Sequence, residues 1–210
     1  MEKWNKVVTI SRQMGSGGTY VGCEVSKALG FVYVDREILR RAARLLNRDA
    51  ASLEGYEGKS SGFIQNFLRT FALGAPEAGY VTRELPVYDR DLFVLENNII
   101  SEIVSKHNAV IMGRGAFHLL KDRPKTVHLF IHAPRDYRVE QIMKDGSAAD
   151  LREAQARVEE SDRRRTRFIR DMVGTEWTDA RNYHLCIDSS TVSISESARL
   201  AIDFVKKALG

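Results

Sequence analysis

Short apolar runs alternate along the chain with longer stretches in which apolar residues recur every three or four positions. The β-branched run Lys6–Ile10 predicts a strand, and Tyr20–Leu29 predicts a helix that stops at Gly30, a residue suited to a helix C-terminus. Phe31–Val34 predicts a second strand and Arg36–Leu46 a second helix. Phe93, Leu95, Ile99, Ile100, Ile103 and Val104 share one stripe and predict a helix over Asp91–His107. Strands follow at Asn108–Met112, Thr126–Ile131 and Tyr183–Ile187, with a short helix over Ala116–Lys121 after the first of these. Helices are expected over Arg135–Lys144 and Asp150–Asp171, joined through Gly146-Ser147, and a last one is capped by Ser193 and runs to about Leu209. Residues 47–90 are less regular: Phe63–Ala72 reads as a helix, and Leu73–Pro86 as a loop. Strands of four to six apolar residues separated by helices predict a parallel sheet covered on both faces, a three-layer α/β/α domain with five strands.

Each of the first three strands ends in a polar or glycine-rich cluster. The first strand runs into Gly15-Ser16-Gly17-Gly18-Thr19, the second into Asp35-Arg36-Glu37, and the third into Gly113-Arg114-Gly115. Ligands of parallel sheets bind at the carboxyl ends of the strands, so the three clusters converge on one edge. A glycine turn between a strand and a helix brings backbone N–H groups and the positive end of the helix dipole to an anion. Laid over the phosphate-binding motif G-x-x-x-x-G-K-[ST], Gly17 and Thr19 fit the second Gly and the Ser/Thr. Arg12 stands where the first Gly belongs, and Gly18 where the Lys belongs. A fourth cluster is Asp162-Arg163-Arg164-Arg165-Thr166-Arg167, followed by Arg170. In a helix Arg163, Arg167 and Arg170 share a face. Arginine grips phosphate with a planar, permanently charged fork.

Composition narrows the partners. At 43% hydrophobic residues the 210-residue chain can build a real core. A formal charge of +4 suits an anionic ligand. The arginines lack the interleaved aromatics of a nucleic-acid surface, which makes that partner unfavoured. Cys23 and Cys186 have no zinc spacing and read as reduced, buried thiols of a cytoplasmic protein. No apolar run approaches the ~20 residues that span a bilayer, so no membrane partner is expected. The five histidines show no metal spacing and read as structural.

Together the segments T-I-S-R-Q-M-G-S-G-G (9–18), V-Y-V-D-R-E (32–37), V-I-M-G-R-G-A (110–116), D-R-R-R-T-R (162–167) and N-Y-H-L-C-I-D (182–188) resemble the cytidylate kinase-like family. That family is a branch of the P-loop nucleoside monophosphate kinases, and the resemblance spans nearly the whole chain. It implies one kinase-like domain, with a core over 1–46, 91–134 and 180–210. It also implies an acceptor-binding insertion over about 47–90 and an Arg-rich helical lid over about 135–175. It implies ATP and Mg²⁺, with the donor phosphates on Gly15, Ser16, Gly17, Gly18 and Thr19 and with Ser16 or Thr19 as magnesium ligands. The acceptor, a nucleoside monophosphate or similar small phosphorylated molecule, is expected on Asp35, Arg36, Arg114 and Arg138. Arg163, Arg164 and Arg167 are expected to close on the transferring group, with Arg12 supplying the charge that Gly18 cannot. A homo-oligomer is left open.

Plainer readings stand beside these. Asp35 reads equally as a helix N-cap, Arg114 as half of an internal salt bridge, and the arginine run as a solvated face paired with Glu159, Glu160 and Asp162. Trp177 reads as a base contact or as an anchor of the lid. Gly18 also admits a different class of protein, a nucleotide-binding regulator that has lost catalysis.

Overall fold

The computed structural model describes residues 4–40, 42 and 90–210. The expectations for Phe63–Ala72 and for the remainder of the insertion lie outside the described residues. Five strands form one parallel sheet in the order β2-β3-β1-β4-β5: β1 (Val7–Arg12), β2 (Val32–Val34), β3 (Ala109–Met112), β4 (Thr126–His132) and β5 (Leu185–Asp188). The helices are α1 (Gly18–Leu29), α2 (Arg90–Lys106), α3 (Ala116–Leu119), α4 (Arg135–Lys144), α5 (Leu151–Val173), α6 (Ser189–Val192) and α7 (Ile194–Leu209). Residues 36–40 and 42 are helical as well.

Alternation along the strands builds two cores. Val7, Ala109 and Ile111 point to one face and pack with Leu39 and with Ile99, Ile100, Ile103 and Val104 of α2. Val8, Ile10, Val110 and Met112 point to the other and pack with Val21 and Val25 of α1 and with Ala198, Ala201 and Val205 of α7. Both faces of the sheet are therefore apolar, which is why its strands read as unbroken hydrophobic runs. The result is the expected three-layer α/β/α arrangement.

Several boundaries move for local reasons. β1 continues to Arg12, because Ser11 and Arg12 stay in register with Phe130 and Ile131 of β4. β5 begins at Leu185, two residues after the expected start, since the Tyr183 hydroxyl turns back and donates to the Trp177 carbonyl at 2.5 Å. A 3₁₀ turn at Ala180–Asn182 and helix α6 are capped by Asp179 and Asp188, whose carboxylates accept from Arg181 and Ser190 N–H groups. The two cysteines are free and half-buried, more exposed than expected.

The helices α4 and α5 pair through a small core of their own, Val139 and Ile142 against Ala154 and Val158, with Met14 packed onto it. Asp150 caps α5 by accepting from the Glu153 N–H at 2.8 Å, and the Glu153 carboxylate accepts in return from the Ala149 N–H at 2.7 Å. This is a reciprocal box displaced by one residue. Gly174 ends the helix at φ 73°.

One buried polar pair makes the core pH-sensitive. His128, 4% exposed, shares a 2.8 Å hydrogen bond with the Thr9 hydroxyl, and its ring stacks on His184 at 5.1 Å. Burial, with His184 adding to it, lowers the His128 pKa from 6.5 to about 4. The unfolded chain therefore binds a proton below pH 6.5 that the folded chain refuses until about pH 4. Stability falls as pH drops through that window, by about 3 kcal/mol in total. Urea midpoints measured from about pH 7 to about pH 4 should fall accordingly, and His128→Asn should flatten the slope; an unchanged slope would assign the effect to another group.

Candidate active site

The carboxyl edge of β1, β2 and β3 opens onto a cleft of about 1150 Å³. Its walls come from the β1–α1 loop, Asp35-Arg36-Glu37, Gly113-Arg114-Gly115, and the inner face of α5 with Trp177. The three strand-end clusters thus meet, as the strand order requires.

The loop is shaped by close approach. Gly15 and Gly17 have φ of 80° and 72°, and a Cβ on either would lie 2.5 Å from the Arg138 carbonyl oxygen or from Ile194 Cγ2. Any side chain there is excluded twice, by backbone conformation and by packing. Helix α1 starts from Gly17 with no side-chain cap and no acidic residue in its first turn, which leaves its positive end for an anion. Ser16 is fully buried and does not line the cleft. Its hydroxyl donates toward the Gln13 and Ile131 carbonyls at 2.8 and 3.1 Å, so its work is to hold the loop. Thr19 is exposed, lines the cleft, and its hydroxyl makes no hydrogen bond among the described residues. Among the described residues no group of three or more His, Cys, Asp or Glu is placed to hold a metal ion. Of the two expected magnesium ligands, Thr19 thus presents its hydroxyl to the cleft, whereas the Ser16 hydroxyl is taken up by loop carbonyls.

On the acceptor side, Asp35 is a helix N-cap, the plainer of its two readings, and it also faces the cleft. Its carboxylate accepts from the Ile38 N–H at 3.0 Å, as an N-cap does, and it lines the cleft beside Arg36. Arg114 sits at φ 59° and donates from Nη2 to Glu96 of α2, and its guanidinium lies 4.3 Å from the ring centroid of Phe168 on α5. Glu96 is fully buried. Burial pushes its carboxyl pKa up and pulls that of Arg114 down, and the pair opposes both shifts. The internal salt bridge is therefore real, and Arg114 still faces the cleft. Neither Glu96 nor Phe168 was expected in the site. A lone acid in the apolar stripe between Phe93 and Ile100 was the sequence signal for the first.

The arginine run divides. Arg164 and Arg165 line the cleft, and Arg165 lies 5.2 Å from the ring centroid of Trp177. Arg163 and Arg167, with Arg170, border a shallow groove outside the cleft, and Arg163 pairs with Glu160 at 2.9 Å. Those two expected closing residues are thus placed away from the loop, while Arg157, not expected, is in the cleft and pairs with Glu153 at 2.7 Å. Arg138 is 4% exposed and does not line the cleft. It donates to the carbonyls of Ala133 and Met14 at 3.0 and 3.4 Å and to Asp162 at 2.8 Å, tying α4 and α5 to the loop. Trp177 is 2% exposed and donates to the Thr166 hydroxyl at 3.0 Å, which makes it an anchor of α5.

A parallel sheet in this order, with a glycine loop leaving its central strand, is the fold of P-loop kinases. A shikimate kinase from Bacteroides thetaiotaomicron superposes with a TM-score of 0.51 at 14% identity over 96% of this chain and 98% of that one. A gluconokinase from Sinorhizobium meliloti 1021 gives 0.55 at 12% identity over 98% and 94%. An uncharacterized protein from Eubacterium ventriosum ATCC 27560 gives 0.70 at 19% identity over 96% and 99%. At such identities the likeness is one of fold. Residues 7–191 match the model of the cytidylate kinase-like family, and the chain belongs to that family. No curated protein matches it. No helix among the described residues is long and apolar enough to cross a membrane.

Proposed function

We propose that the protein is an ATP-dependent phosphotransferase whose acceptor is a nucleoside monophosphate or a similar small phosphorylated molecule. The observation that carries this reading is the convergence, in one cleft, of an uncapped helix terminus, the Arg114 turn and the lid arginines Arg164 and Arg165. Family membership and the kinase fold support it. The loop and the first turn of α1 hold the donor phosphates. Arg114 and Arg36, with Asp35, orient the acceptor, and the lid arginines neutralise the moving group. Thr19 is the residue that would hold a magnesium ion, which would supply positive charge to the donor phosphates. An acceptor phosphate oxygen attacks the terminal phosphorus. The bond to the ADP oxygen breaks, and its electron pair leaves with ADP. An unprotonated acceptor phosphate has no proton to surrender, so positioning and charge neutralisation are the whole task.

A regulatory nucleotide binder without turnover is the second reading, favoured by Gly18 alone. Measuring ATP consumption with Mg²⁺ against CMP, dCMP, UMP, AMP and GMP in turn separates the two. Turnover on one acceptor is the expected result; ATP binding with no turnover on any of these acceptors would favour the regulator.

A further inference from the structure

The phosphate-binding motif has Gly at the position of Arg12 and Lys at the position of Gly18. Both departures have one physical cause. Arg12 ends β1 and Gly18 opens α1, and the two backbones face each other across the loop. A Cβ on Gly18 would fall closer than 3.0 Å to Arg12 Cβ and Cγ, a separation that real Cβ atoms essentially never show, and 3.3 Å from Ile131 Cβ. Only one of positions 12 and 18 has room for a side chain. A lysine at 18 requires glycine at 12, and an arginine at 12 requires glycine at 18.

The head of Arg12 reaches Gly113, whose φ of 72° already favours glycine. A Cβ on Gly113 would fall closer than 3.0 Å to Arg12 Nη1. Arg12 thus runs with its stem over Gly18 and its guanidinium against Gly113. Arg12 is half-buried and lines the cleft, and among the described residues its side chain makes no hydrogen bond and no ion pair. A partly desolvated cation without a counter-charge is a site for an anion from outside.

We propose that Arg12 and Gly18 are an exchanged pair, in which Arg12 takes over from the motif's lysine as the cation on the donor's terminal phosphoryl group. This rests on the kinase reading of the cleft. The charge arrives from the end of the central strand instead of from the first turn of α1. Its head lies beside the turn that carries Arg114, between the donor loop and the acceptor side. A planar fork of N–H donors there holds phosphoryl oxygens in a fixed orientation through transfer, and it neither gains nor loses a proton.

The test is calorimetric titration of ATP into the wild type and four variants, with a melting temperature for each. Arg12→Met keeps the stem over Gly18 and removes the charge. It should melt near the wild type and bind ATP about 10- to 100-fold more weakly. Gly18→Lys alone should melt lower and bind weakly, because its Cβ meets that of Arg12. Arg12→Ala/Gly18→Lys still has a Cβ at both positions and should stay destabilised. Arg12→Gly/Gly18→Lys should recover melting temperature and much of the ATP affinity. The proposal is overturned if Arg12→Met binds ATP as the wild type does. It is equally overturned if the glycine exchange is no better than Arg12→Ala/Gly18→Lys. A wild type that binds ATP but transfers nothing, with the variants behaving as expected, would sink the kinase reading and leave the exchange standing. A wild type that binds no ATP would overturn both.

Discussion

Arg114→Ala should lower turnover by about 10²–10³-fold, the usual loss when a charge-assisted contact to a transferring group is removed. The Arg114 backbone adopts φ 59° in the turn after β3, and its guanidinium lies between Glu96 and Phe168, facing the cleft. The effect on folding should be smaller. Glu96 already has a raised pKa from burial, and without its partner it can take up a proton and become a neutral buried acid. Steady-state kinetics on the acceptor that supports turnover, beside a melting curve, would check both halves. A variant that retained full turnover would remove Arg114 from the acceptor site.

The reverse ranking is expected for Glu96→Gln. Arginine does not give up its proton in proteins, so a half-neutralised Arg114 has no escape comparable to that of Glu96. Breaking a buried ion pair from the acidic side should cost about 3 kcal/mol, even though the carboxamide oxygen can still accept from Nη2. For a chain of this size that lowers the melting temperature by roughly 6–12 °C. Turnover measured well below the melting transition should suffer less than in Arg114→Ala. If Glu96→Gln melted with the wild type, the pair would be as weak as an exposed surface bridge, despite complete burial of the acid. The two variants together separate a residue that meets the substrate from one that holds it in place.

Apolar patterning carried most of the fold into view. Strands buried on both faces show themselves as unbroken β-branched runs, and α4 was legible to the residue because Pro134 precedes it and Gly146 follows shortly after. The phosphate loop was legible for a similar reason, since only glycine satisfies both φ and packing at 15 and 17. The arginines of α5 were harder. The run 163–167 reads as one cluster along the chain, whereas a helix turns about 100° per residue and scatters it. The phase is written in the buried residues Ala154, Val158 and Ile169, whose stripe passes through 165 and leaves 163, 167 and 170 outside. Arg138 gave no such sign. Its burial rests on Asp162 of α5 and on the loop carbonyl of Met14, which lies 124 residues away in sequence. The pairing of Glu96 with Arg114 was likewise a tertiary fact, though an acid amid the apolar stripe of α2 marked the place.

The contact between positions 12 and 18 also constrains the history of the loop. A sequence passing from a lysine-bearing form to this one that acquired the arginine before losing the lysine would pass through a destabilised form, because the two side chains crowd each other at Cβ. The route free of that crowding runs through glycine at both positions, a form with neither of these two cations. On the kinase reading, an ancestor on that route would have been slow in phosphoryl transfer or have drawn its charge from elsewhere in the cleft. Surviving relatives with the double glycine would be the living record of that passage.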